Sequence, residues 1–310
     1  MLVYQNSLDR PHTPSAVAIG SFDGLHLGHQ NLLEHLSKLA HDHHVPSVVY
    51  TFDQPTRVLL QGSKFLYSLA EKLKILEELG VDEVIAVPFT REFSLRPPEA
   101  FLEDVRALQP VGIVVGDDFR FGHDRAGGLE DLRGVTPNLI ALPMHTLAGE
   151  AVKTSVIRGL LEASDVAAAR ALLGRPYTAR GVVIHGEARG RTIGFPTANV
   201  ATSDGKLLPP GVFAVRLLTP DGLFRDGMAN VGKRPTIGGG LRESLEVHLF
   251  EFSGDLYGLE VRVDFLAHLR GEVKFSGLDA LKAQLGRDRL SAIAALEPEL
   301  WGRNGQLDRV

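Results

Sequence analysis

The sequence predicts two domains: an α/β domain with a parallel sheet, then an antiparallel β domain that ends in a helix. The chain has 310 residues, which is long for one domain and comfortable for two. In the first half, strand-like apolar runs alternate with amphipathic helical stretches, and such βα repeats predict a parallel sheet covered by helices on both faces. After about residue 176, strand-like segments follow one another with only turns between them, which predicts an antiparallel barrel or sandwich.

The elements of the first half follow from the spacing of its apolar residues. Strands are predicted at five apolar runs: 16–22, 47–52, 83–87, 112–115 and 138–144. Helices are predicted at four amphipathic stretches: 28–42, 68–79, 98–108 and 127–133. The next segment, 154–173, is rich in alanine and leucine and predicts a helical connector. We therefore expect a first domain of residues 1–172 and a second of residues 173–310.

The second half is predicted from its turns as much as from its strands. Five strand-like segments are present: 178–185, 211–218, 223–231, 243–252 and 259–269. Asp221-Gly222 and Gly254-Asp255 are turn signals that predict hairpins between the strands on either side. The tail at roughly 277–298 carries leucines and isoleucine at helical spacing, so it predicts a helix that packs on the β domain.

The composition is that of an ordinary soluble globular protein, with 44% hydrophobic and 23% charged residues. The absence of cysteine excludes disulfides and thiolate metal sites and suits a reducing cytoplasm. A net charge of −5 disfavours nucleic acid as a partner, and no apolar stretch is long enough to cross a bilayer. We expect a cytoplasmic monomer or weak homo-oligomer that binds small molecules, with no nucleic acid and no membrane among its partners.

The most informative segment is Gly20-Ser21-Phe22-Asp23-Gly24-Leu25-His26-Leu27-Gly28-His29, where the first predicted strand passes into a helix. Free backbone N–H groups and the positive end of the helix dipole attract anions there. His26 and His29 lie on one side of the first helical turn. Because a helix dipole contributes only about 0.3–1 kcal/mol towards an exposed anion, a triphosphate needs further cations, and both histidines and Arg158 are candidates. The alternative is that the histidines only cap the helix or fill a polar gap.

A second loop, Val115-Gly116-Asp117-Asp118-Phe119-Arg120-Phe121-Gly122, directly follows a predicted strand. Its glycines permit close approach of the backbone to a ligand, and its two phenylalanines can stack on a ring system. It falls on the same sheet edge as Gly20–His29, where α/β sheets bind ligands. The alternative is a strand-ending turn with two core aromatics. Neither a P-loop nor the dinucleotide Gly-x-Gly-x-x-Gly pattern occurs in the chain.

The second half has its own candidate site. Gly190-Arg191-Thr192-Ile193-Gly194-Phe195-Pro196-Thr197-Ala198-Asn199 joins a basic loop to small polar residues, and Thr197 and Asn199 share one face if the chain is extended. Their neutral oxygens suit Mg²⁺ held jointly with nucleotide phosphates. The loop Ala229–Thr236 is expected to cover a ligand. Alternation in 243–250 places Glu246 opposite Leu245 and Val247, where it is either a general base or an exposed strand residue.

In this order, the motifs resemble those of the prokaryotic bifunctional riboflavin kinase/FAD synthetase family over nearly the whole chain. The turn at Gly20–His29 is similar to the nucleotidyltransferase signature. Four further segments carry the resemblance: Pro88-Phe89-Thr90-Arg91-Glu92-Phe93, Leu173-Gly174-Arg175-Pro176-Tyr177, Glu246-Val247-His248-Leu249 and Asp255-Leu256-Tyr257-Gly258. The resemblance implies a Rossmann-like nucleotidyltransferase domain and a six-stranded riboflavin-kinase barrel with a C-terminal helix.

The resemblance also implies the chemistry and its ligands. The barrel would transfer the γ-phosphoryl group of ATP to riboflavin, giving FMN, and the first domain would adenylylate FMN, giving FAD and pyrophosphate. The implied cofactor is Mg²⁺, with ATP as co-substrate. The implied partners are riboflavin, FMN, FAD, ATP and pyrophosphate.

Residue roles are implied position by position. Glu246 matches the catalytic base of the kinase, and Thr197 and Asn199 match its Mg-ATP ligands. His26 and His29 match residues that steady the phosphates and the departing pyrophosphate, with Arg158 as the third catalytic candidate of that site. The remaining implied nucleotide-binding residues are Gly20, Phe22, Asp23, Gly24, Gly28, Asp118, Phe119, Thr154, Ser155, Gly194 and Pro196. The implied flavin-binding residues are Phe52, Asn230, Arg234 and Pro235.

The chain departs from the family pattern at a few positions, most of them in the first half. In Val152-Lys153-Thr154-Ser155-Val156-Ile157-Arg158, Lys153 replaces a serine of the usual Ile-Ser-Ser-Thr-x-Ile-Arg, and Gln54-Pro55-Thr56 replaces Pro-His-Pro. In the second half, Lys233 stands where threonine is common. Three alternatives remain open: a chain that makes FMN but adenylylates it weakly, a nucleotidyltransferase for another phosphate substrate such as a cytidylyltransferase, and a non-catalytic flavin-binding module.

Overall fold

The computed structural model describes residues 1–55, 58–59, 62–186, 189–235 and 241–297, leaving aside the side chains of residues 189, 191, 233–235 and 241–242. The chain divides into two compact units, Met1–Val156 and the part that begins at Ile157. The predicted connector consists of two helices, Thr154–Glu162 and Val166–Leu173. The second of them packs on strands of the barrel, so the compact units divide earlier than the predicted domains, and the assignment of the connector to the first domain stays a prediction.

The first unit is built on a parallel sheet of six strands in the order β1-β4-β3-β2-β5-β6. Five of them confirm the predicted strands, while the edge strand β1 has only three residues, too few to show a periodicity. The strands are β1 (Leu2–Tyr4), β2 (Ser15–Ile19), β3 (Ser47–Phe52), β4 (Glu83–Val87), β5 (Pro110–Gly116) and β6 (Leu139–Leu142). A small hairpin of β7 (Thr146–Leu147) and β8 (Glu150–Ala151) follows.

Helices cover both faces of this sheet, as predicted. They are α1 (Leu27–His43), α2 (Leu69–Glu78), α3 (Pro98–Ala107) and α4 (Leu129–Arg133), with a helical turn at Arg91–Ser94 and 3-10 turns at Ser7–Asp9 and His123–Arg125. Successive strand residues point to opposite faces, so Ala18 and Val49 pack with α1 and α2, whereas Val17 and Val48 pack with α3 and α4.

The strand order creates a crevice at the carboxyl end of the sheet. The chain builds outward from β2 through β3 to β4, then crosses back to place β5 on the other side of β2. Ligands in open α/β sheets bind beyond the carboxyl ends of the strands at such a switch point. The two loops singled out in the sequence leave the sheet here, because one follows β2 and the other follows β5.

The second unit is a closed antiparallel barrel of six strands in the order β10-β13-β12-β11-β14-β9. The strands are β9 (Tyr177–Ile184), β10 (Ala198–Thr202), β11 (Gly211–Leu218), β12 (Phe224–Pro235), β13 (Leu241–Leu249) and β14 (Glu260–Arg270). The two connector helices introduced above are α5 (Thr154–Glu162) and α6 (Val166–Leu173), and the C-terminal helix is α7 (Leu278–Leu296). A helical turn, Arg189–Thr192, precedes β10.

The interior of the barrel is filled by alternate residues of its strands, such as Phe213, Val247 and Phe265, which are almost fully buried. Helix α7 packs on the outer face, where Ala214 and Met228 meet Ala292 and Leu296. None of the helices in the described part of the chain is both long enough and apolar enough to cross a membrane.

One of the two predicted hairpins is present and the other is wrong. Asp221-Gly222 connects β11 to β12, which pair directly from Leu218 to Phe224. Gly254-Asp255 connects β13 to β14, but β13 pairs with β10 and β12, while β14 pairs with β11 and β9. The second turn therefore leads across the barrel, because closure gives β13 and β14 other neighbours.

Candidate active sites

The turn after β2 is an irregular, tightly packed segment, and glycine alone does not explain it. Phe22 and Leu25 have positive φ angles of 48° and 45°, and both are fully buried. Such a conformation is uncommon for large side chains and costs of order 1–3 kcal/mol per residue, so it persists only where the surrounding structure enforces it. The strain falls where the sequence predicts the nucleotide site, which is where strained backbone is commonly retained.

His26 and His29 are brought together at the start of α1. Their rings stack with centroids 3.7 Å apart and nearly parallel planes. His26 is the N-cap of the helix, and its Nδ1 accepts the backbone N–H of His29 at 3.3 Å. Capping is therefore part of the role of His26, and it leaves Nε2 as the ring nitrogen that can donate to an anion. Gly28 permits this arrangement, since a Cβ there would lie 3.2 Å from the His26 ring.

Asp23 is buried and faces the protein rather than the crevice. One carboxylate oxygen accepts the backbone N–H groups of Leu66 and Tyr67 at 2.9 and 3.3 Å. Its carbonyl oxygen accepts the Thr154 hydroxyl at 3.0 Å. Asp23 and Thr154, both predicted to bind nucleotide, are thus placed where they hold the turn in position.

The two phenylalanines of the loop after β5 differ in burial, although both pack against the core cluster that contains Phe101. Phe121 is buried with its ring centroid 4.8 Å from that of Phe101, so for Phe121 the core alternative holds. Phe119 is only half-buried, and Asp118 is exposed beside it. The loop turns back at Gly116, whose carbonyl accepts the Phe119 N–H at 3.1 Å.

An aromatic cluster lies at the carboxyl ends of β3 and β4. Phe52, predicted to bind flavin, is half-buried, and its ring centroid lies 5.0 Å from that of Phe89 and 5.5 Å from that of Phe93. The sequence Pro88–Phe93, quoted for the resemblance, therefore supplies two of the three rings. Such a cluster offers an apolar surface to a flat heterocycle.

The remaining first-half candidates begin α5. Ser155 is exposed and Arg158 is half-buried, three residues further along the same helix. Lys153, which departs from the family pattern, is exposed, and so is Val156 in the same segment. Of the other departure, Gln54 and Pro55 are described, whereas Thr56 lies outside the described residues.

In the barrel, three polar candidates from three separate motifs form one cross-strand row. Glu246 on β13 pairs with Asn199 on β10 and with Asn230 on β12. Directly paired residues point to the same face, with Cβ atoms about 4.5–5.5 Å apart. The neighbours of Glu246 along the strand, Leu245 and Val247, are buried inside the barrel, so the row lies on the outer face, as the alternation predicts.

This outer face forms one wall of a cavity of about 590 Å³ beneath α7. Its polar lining includes Thr197, Asn230, Glu246, Arg270 and Glu272, and its apolar lining includes Phe195, Met228, Phe275, Leu281 and Leu285. A carboxylate beside an apolar wall suits a ligand with a flat apolar part and a hydroxyl-bearing chain. Arg270 pairs with the buried Asp288 of α7 at 2.7 Å, which fixes the helix over the cavity.

The loop before β10 is shaped by its glycines. A Cβ on Gly190 would lie 2.2 Å from the Phe195 carbonyl, and Gly194 has a φ of 84°. A Cβ on Gly186 would lie 2.2 Å from the Asn199 amide, so that glycine makes room for the side chain. Thr197 lines the cavity, and Pro196 is exposed with its carbonyl turned towards the barrel.

His248 ties this loop to the barrel. Its Nδ1 lies 2.8 Å from the Pro196 carbonyl oxygen, so Nδ1 carries the donated proton. Burial lowers the pKa of His248, the hydrogen bond to Pro196 opposes that shift, and the positive charge of Arg289 adds to it. The side chain is thus neutral near pH 7. Of the predicted covering loop, the side chains of Arg234 and Pro235 and the whole of Thr236 lie outside the described residues.

Three side chains that hold these sites were not predicted from the sequence: Lys72, Asp53 and Arg270. Lys72 has a detectable signal, because it interrupts the apolar stripe of Leu69, Leu73 and Leu76 on one face of α2. A charged residue in such a stripe predicts a buried, paired charge. Asp53 and Arg270 have no comparable pattern, since each follows or ends a strand as many surface residues do.

Comparisons with known proteins match both halves. A model of the FAD synthetase family matches residues 8–155, and a model of the riboflavin kinase family matches residues 173–296. The bifunctional riboflavin kinase/FMN adenylyltransferase of Haemophilus influenzae is 39% identical over 282 residues, which cover 88% of this chain and 91% of that protein. The protein of the same name from Escherichia coli K12 is 38% identical, covering 93% of this chain and 94% of that one.

A solved structure extends the likeness to the fold. A crystal structure described as a macrolide-efflux protein from Streptococcus pneumoniae matches with a TM-score of 0.83 and 32% identity, covering 94% of this chain and 98% of that one. Its description names a different activity from that of the relatives. Among the residues described here, no group of three or more histidine and carboxylate side chains is arranged to hold a metal ion.

Proposed function

Because the chain belongs to the bifunctional riboflavin kinase/FMN adenylyltransferase family, we propose that the two candidate sites described above carry its two reactions. The chain phosphorylates riboflavin to FMN with ATP, and it adenylylates FMN to FAD with release of pyrophosphate. The observation that supports the assignment best is the cross-strand row of Asn199, Glu246 and Asn230. Three motifs that are distant in the sequence meet there at one cavity.

We assign riboflavin phosphorylation to the cavity under α7. Glu246 acts as general base and accepts the proton of the ribityl 5′-hydroxyl as its oxygen attacks the γ-phosphorus of ATP, with ADP as the leaving group. The apolar wall under α7 takes the isoalloxazine ring, and Asn230 orients the ribityl chain. Strand pairing sets the positions of Asn199 and Asn230 on either side of Glu246. The general base and the nucleotide ligands therefore keep a fixed separation.

Thr197 and Asn199 fit a magnesium ion that is shared with ATP. They offer neutral oxygens, and Gly186 leaves the space that the Asn199 side chain uses. Mg²⁺ prefers one or two protein ligands together with phosphate oxygens and water. It therefore suits this site, where the described residues do not surround the ion with carboxylates. Mg²⁺ supplies charge neutralisation at the transferring phosphoryl group.

We assign adenylylation to the crevice at the carboxyl end of the parallel sheet. A phosphate oxygen of FMN attacks the α-phosphorus of ATP, and pyrophosphate leaves. The N-terminus of α1 and the Nε2 atoms of His26 and His29 stabilise the phosphates and the leaving group. Ser155 and Arg158 supply a further hydroxyl and a fixed positive charge. The aromatic cluster around Phe52 binds the flavin ring. Asp118 and Phe119 contribute to binding of the nucleotide.

The first experiment is a time course of flavin products from riboflavin, ATP and Mg²⁺, with a parallel incubation that starts from FMN. We expect FMN to appear first and FAD to follow. FMN that accumulates without conversion, even when supplied directly, would favour the chain that makes FMN but adenylylates it weakly, and would point to Lys153, Val156 and Gln54-Pro55-Thr56. The absence of any product would favour a flavin-binding module.

The oligomeric state and the cellular location are also part of the proposal. We propose that the protein acts in the cytoplasm as a monomer or weak homo-oligomer, on small molecules and without nucleic acid or membrane as partner. The acidic net charge and the absence of cysteine support this. Sedimentation of the purified chain at micromolar concentration, with and without flavin and ATP, measures the oligomeric state.

A further inference from the structure

A lysine that the reaction scheme does not use lies buried beneath the adenylylation crevice. Lys72 comes from α2, and its side chain is fully inaccessible to solvent. Its Nζ donates to the carbonyl oxygen of Ser21 at 2.8 Å and to that of Phe52 at 2.9 Å. A third contact, of 3.3 Å, reaches the Thr51 hydroxyl, which itself donates to the Ser21 carbonyl at 3.2 Å. The three donors of the ammonium group are all used.

These acceptors belong to two different functional segments. Ser21 directly precedes the strained turn that leads to His26 and His29. Phe52 ends β3 and carries the aromatic ring assigned to the flavin. Lys72 therefore joins the backbone of the nucleotide turn to the backbone of the flavin-binding strand end, at the point where the backbone pairing of β2 and β3 has stopped.

Two carboxylates extend the connection to the neighbouring loops. Asp23 holds the segment before α2 through Leu66 and Tyr67. Asp53 accepts the backbone N–H of Phe89 at 2.9 Å and that of Gln54 at 2.7 Å, so it holds the segment that follows β4. Both carboxylates lie near enough to stabilise the charged form of Lys72. One cation and two anions thus connect the turn after β2, the end of β3, the segment before α2 and the segment that follows β4.

Burying a lone ammonium group is costly, and an apolar residue at this position of α2 would continue the helix stripe without that cost. A methionine or leucine, however, would leave the Ser21 and Phe52 carbonyls without this donor. The retained charge therefore has a use beyond filling the core. We propose that Lys72 is a positioning residue for FMN adenylylation, which holds the flavin-binding end of β3 in register with the nucleotide turn after β2.

The inference rests on the proposed adenylylation site, and it predicts a specific kinetic change. In Lys72→Met, each substrate still meets its own strand end, so we expect the KM values for FMN and for ATP to stay within about threefold. The register between the reacting groups is lost, so we expect kcat for FAD formation to fall at least tenfold. Riboflavin phosphorylation, measured in the same sample, is expected to stay unchanged, and it serves as an internal control for folding of the barrel.

Lys74→Met is the matched control. Lys74 lies on the same helix but is exposed and pairs with Glu77 on the surface. We expect both activities to remain at the level of the unmodified chain. If the unmodified chain forms no FAD from FMN, the proposed function of this site fails. If it forms FAD and Lys72→Met does so at an equal kcat, or if the loss lies only in KM, the positioning role of Lys72 is overturned while the site assignment stands.

A pH profile separates positioning from mere support of the fold. Burial lowers the pKa of Lys72 to about 8, against the opposing charges of Asp23 and Asp53, whereas an unfolded lysine titrates at about 10.4. Between these values the unfolded chain binds more protons, so the contribution of this group to the free energy of unfolding rises with pH. The other ionisable residue packed here, Glu71 of the same helix, is engaged by Ser68.

We therefore expect FAD formation by the unmodified chain to decline above about pH 8 while the melting temperature of the first domain does not fall with it. The residual activity of Lys72→Met lacks this decline. The pH dependence of the unmodified chain alone also tests the proposal if the first domain of Lys72→Met does not fold. An activity that follows the melting temperature, with no separate decline above pH 8, would show that Lys72 only supports the fold.

Discussion

The barrel and the parallel sheet hold their candidate sites by different means. In the barrel, Asn199, Glu246 and Asn230 occupy directly paired positions on three adjacent strands, so backbone hydrogen bonds fix their spacing. At the parallel sheet, the candidate residues lie at strand ends, on the loops that follow them and in the first turns of helices, and the side chains of Asp23, Lys72 and Asp53 hold the segments around β2, β3 and β4 together. A site within a sheet takes its geometry from the strand register, whereas a site at the sheet edge needs additional buried polar groups.

The largest effect is expected from Glu246→Gln. The amide keeps the shape of the side chain but cannot accept the hydroxyl proton, and general-base catalysis contributes about 10²–10⁴-fold. We expect riboflavin phosphorylation to fall by about 10³-fold while FAD formation from supplied FMN continues. Separate assays from riboflavin and from FMN measure the two activities.

Glu260→Gln is the control for this substitution, because Glu260 is an exposed barrel residue whose contact with Arg180 is long, at 3.9 Å. It should leave both activities unchanged. Loss of FAD formation from FMN in folded Glu246→Gln would mean that the two reactions share one site. The barrel and the parallel sheet would then not hold separate active sites.

The converse change, His29→Ala, removes one of the two stacked rings at the start of α1. Removing one preorganised donor to a developing charge costs about 10²-fold in kcat, so we expect FAD formation to fall by that factor while riboflavin phosphorylation is retained. His41→Ala, at the exposed end of the same helix, tests for an unspecific effect on α1. An unchanged rate of FAD formation would move the phosphate site away from this helix.

A smaller effect is expected where the barrel site does depend on side chains, at the contact of α7 with β14. Removing one partner of a buried ion pair costs about 3–5 kcal/mol. Arg270 is partly exposed and an asparagine keeps one acceptor, so we expect Asp288→Asn to lower the free energy of unfolding of the barrel by about 2 kcal/mol. Calorimetry of the whole chain should shift only the barrel transition, and Asp279→Asn, exposed on the same helix, should shift it by less than about 0.5 kcal/mol. An equal shift in both variants would remove any special role for the pair.

The same contrast explains which features the sequence revealed. Local patterns were sufficient for the strands of the sheet and the barrel other than β1 and β10, for the faces of residues 243–250, and for the strand-to-helix turn at Gly20–His29, because each depends on neighbours within about ten residues. The neighbours of β13 and β14 were not predictable from Gly254-Asp255, since closure of a barrel is decided by all six strands together. The edge strand β1 was missed because three residues carry no periodicity.

The same dependence on nearby neighbours explains why some side chains of the candidate sites were missed or only partly predicted. The spacing of His26 and His29 indicated a shared face, but only the structure shows that His26 also caps the helix. Lys72 was missed although it interrupts an apolar stripe, because its acceptors are backbone oxygens, which every residue has and no sequence pattern marks. The assignments of Arg234 and Pro235 to the flavin remain predictions, since their side chains lie outside the described residues.

The smallest effect is expected at His248, which links the loop before β10 to the row beside Glu246. Burial lowers the folded-state pKa of His248 below its ordinary value of about 6.5. As the pH falls through that value, the unfolded chain takes up a proton more readily than the folded barrel, so the free energy of unfolding declines from pH 7 to pH 5.

In His248→Asn the amide retains a donor for the Pro196 carbonyl but does not titrate, so the decline should be shallower. Thermal melts of the barrel at pH 5, 6 and 7 measure this slope, with His185→Asn, an exposed histidine of the same unit, as the control. If His248→Asn keeps the full slope, the loop is not held by a neutral histidine, and the barrel site depends on strand register alone.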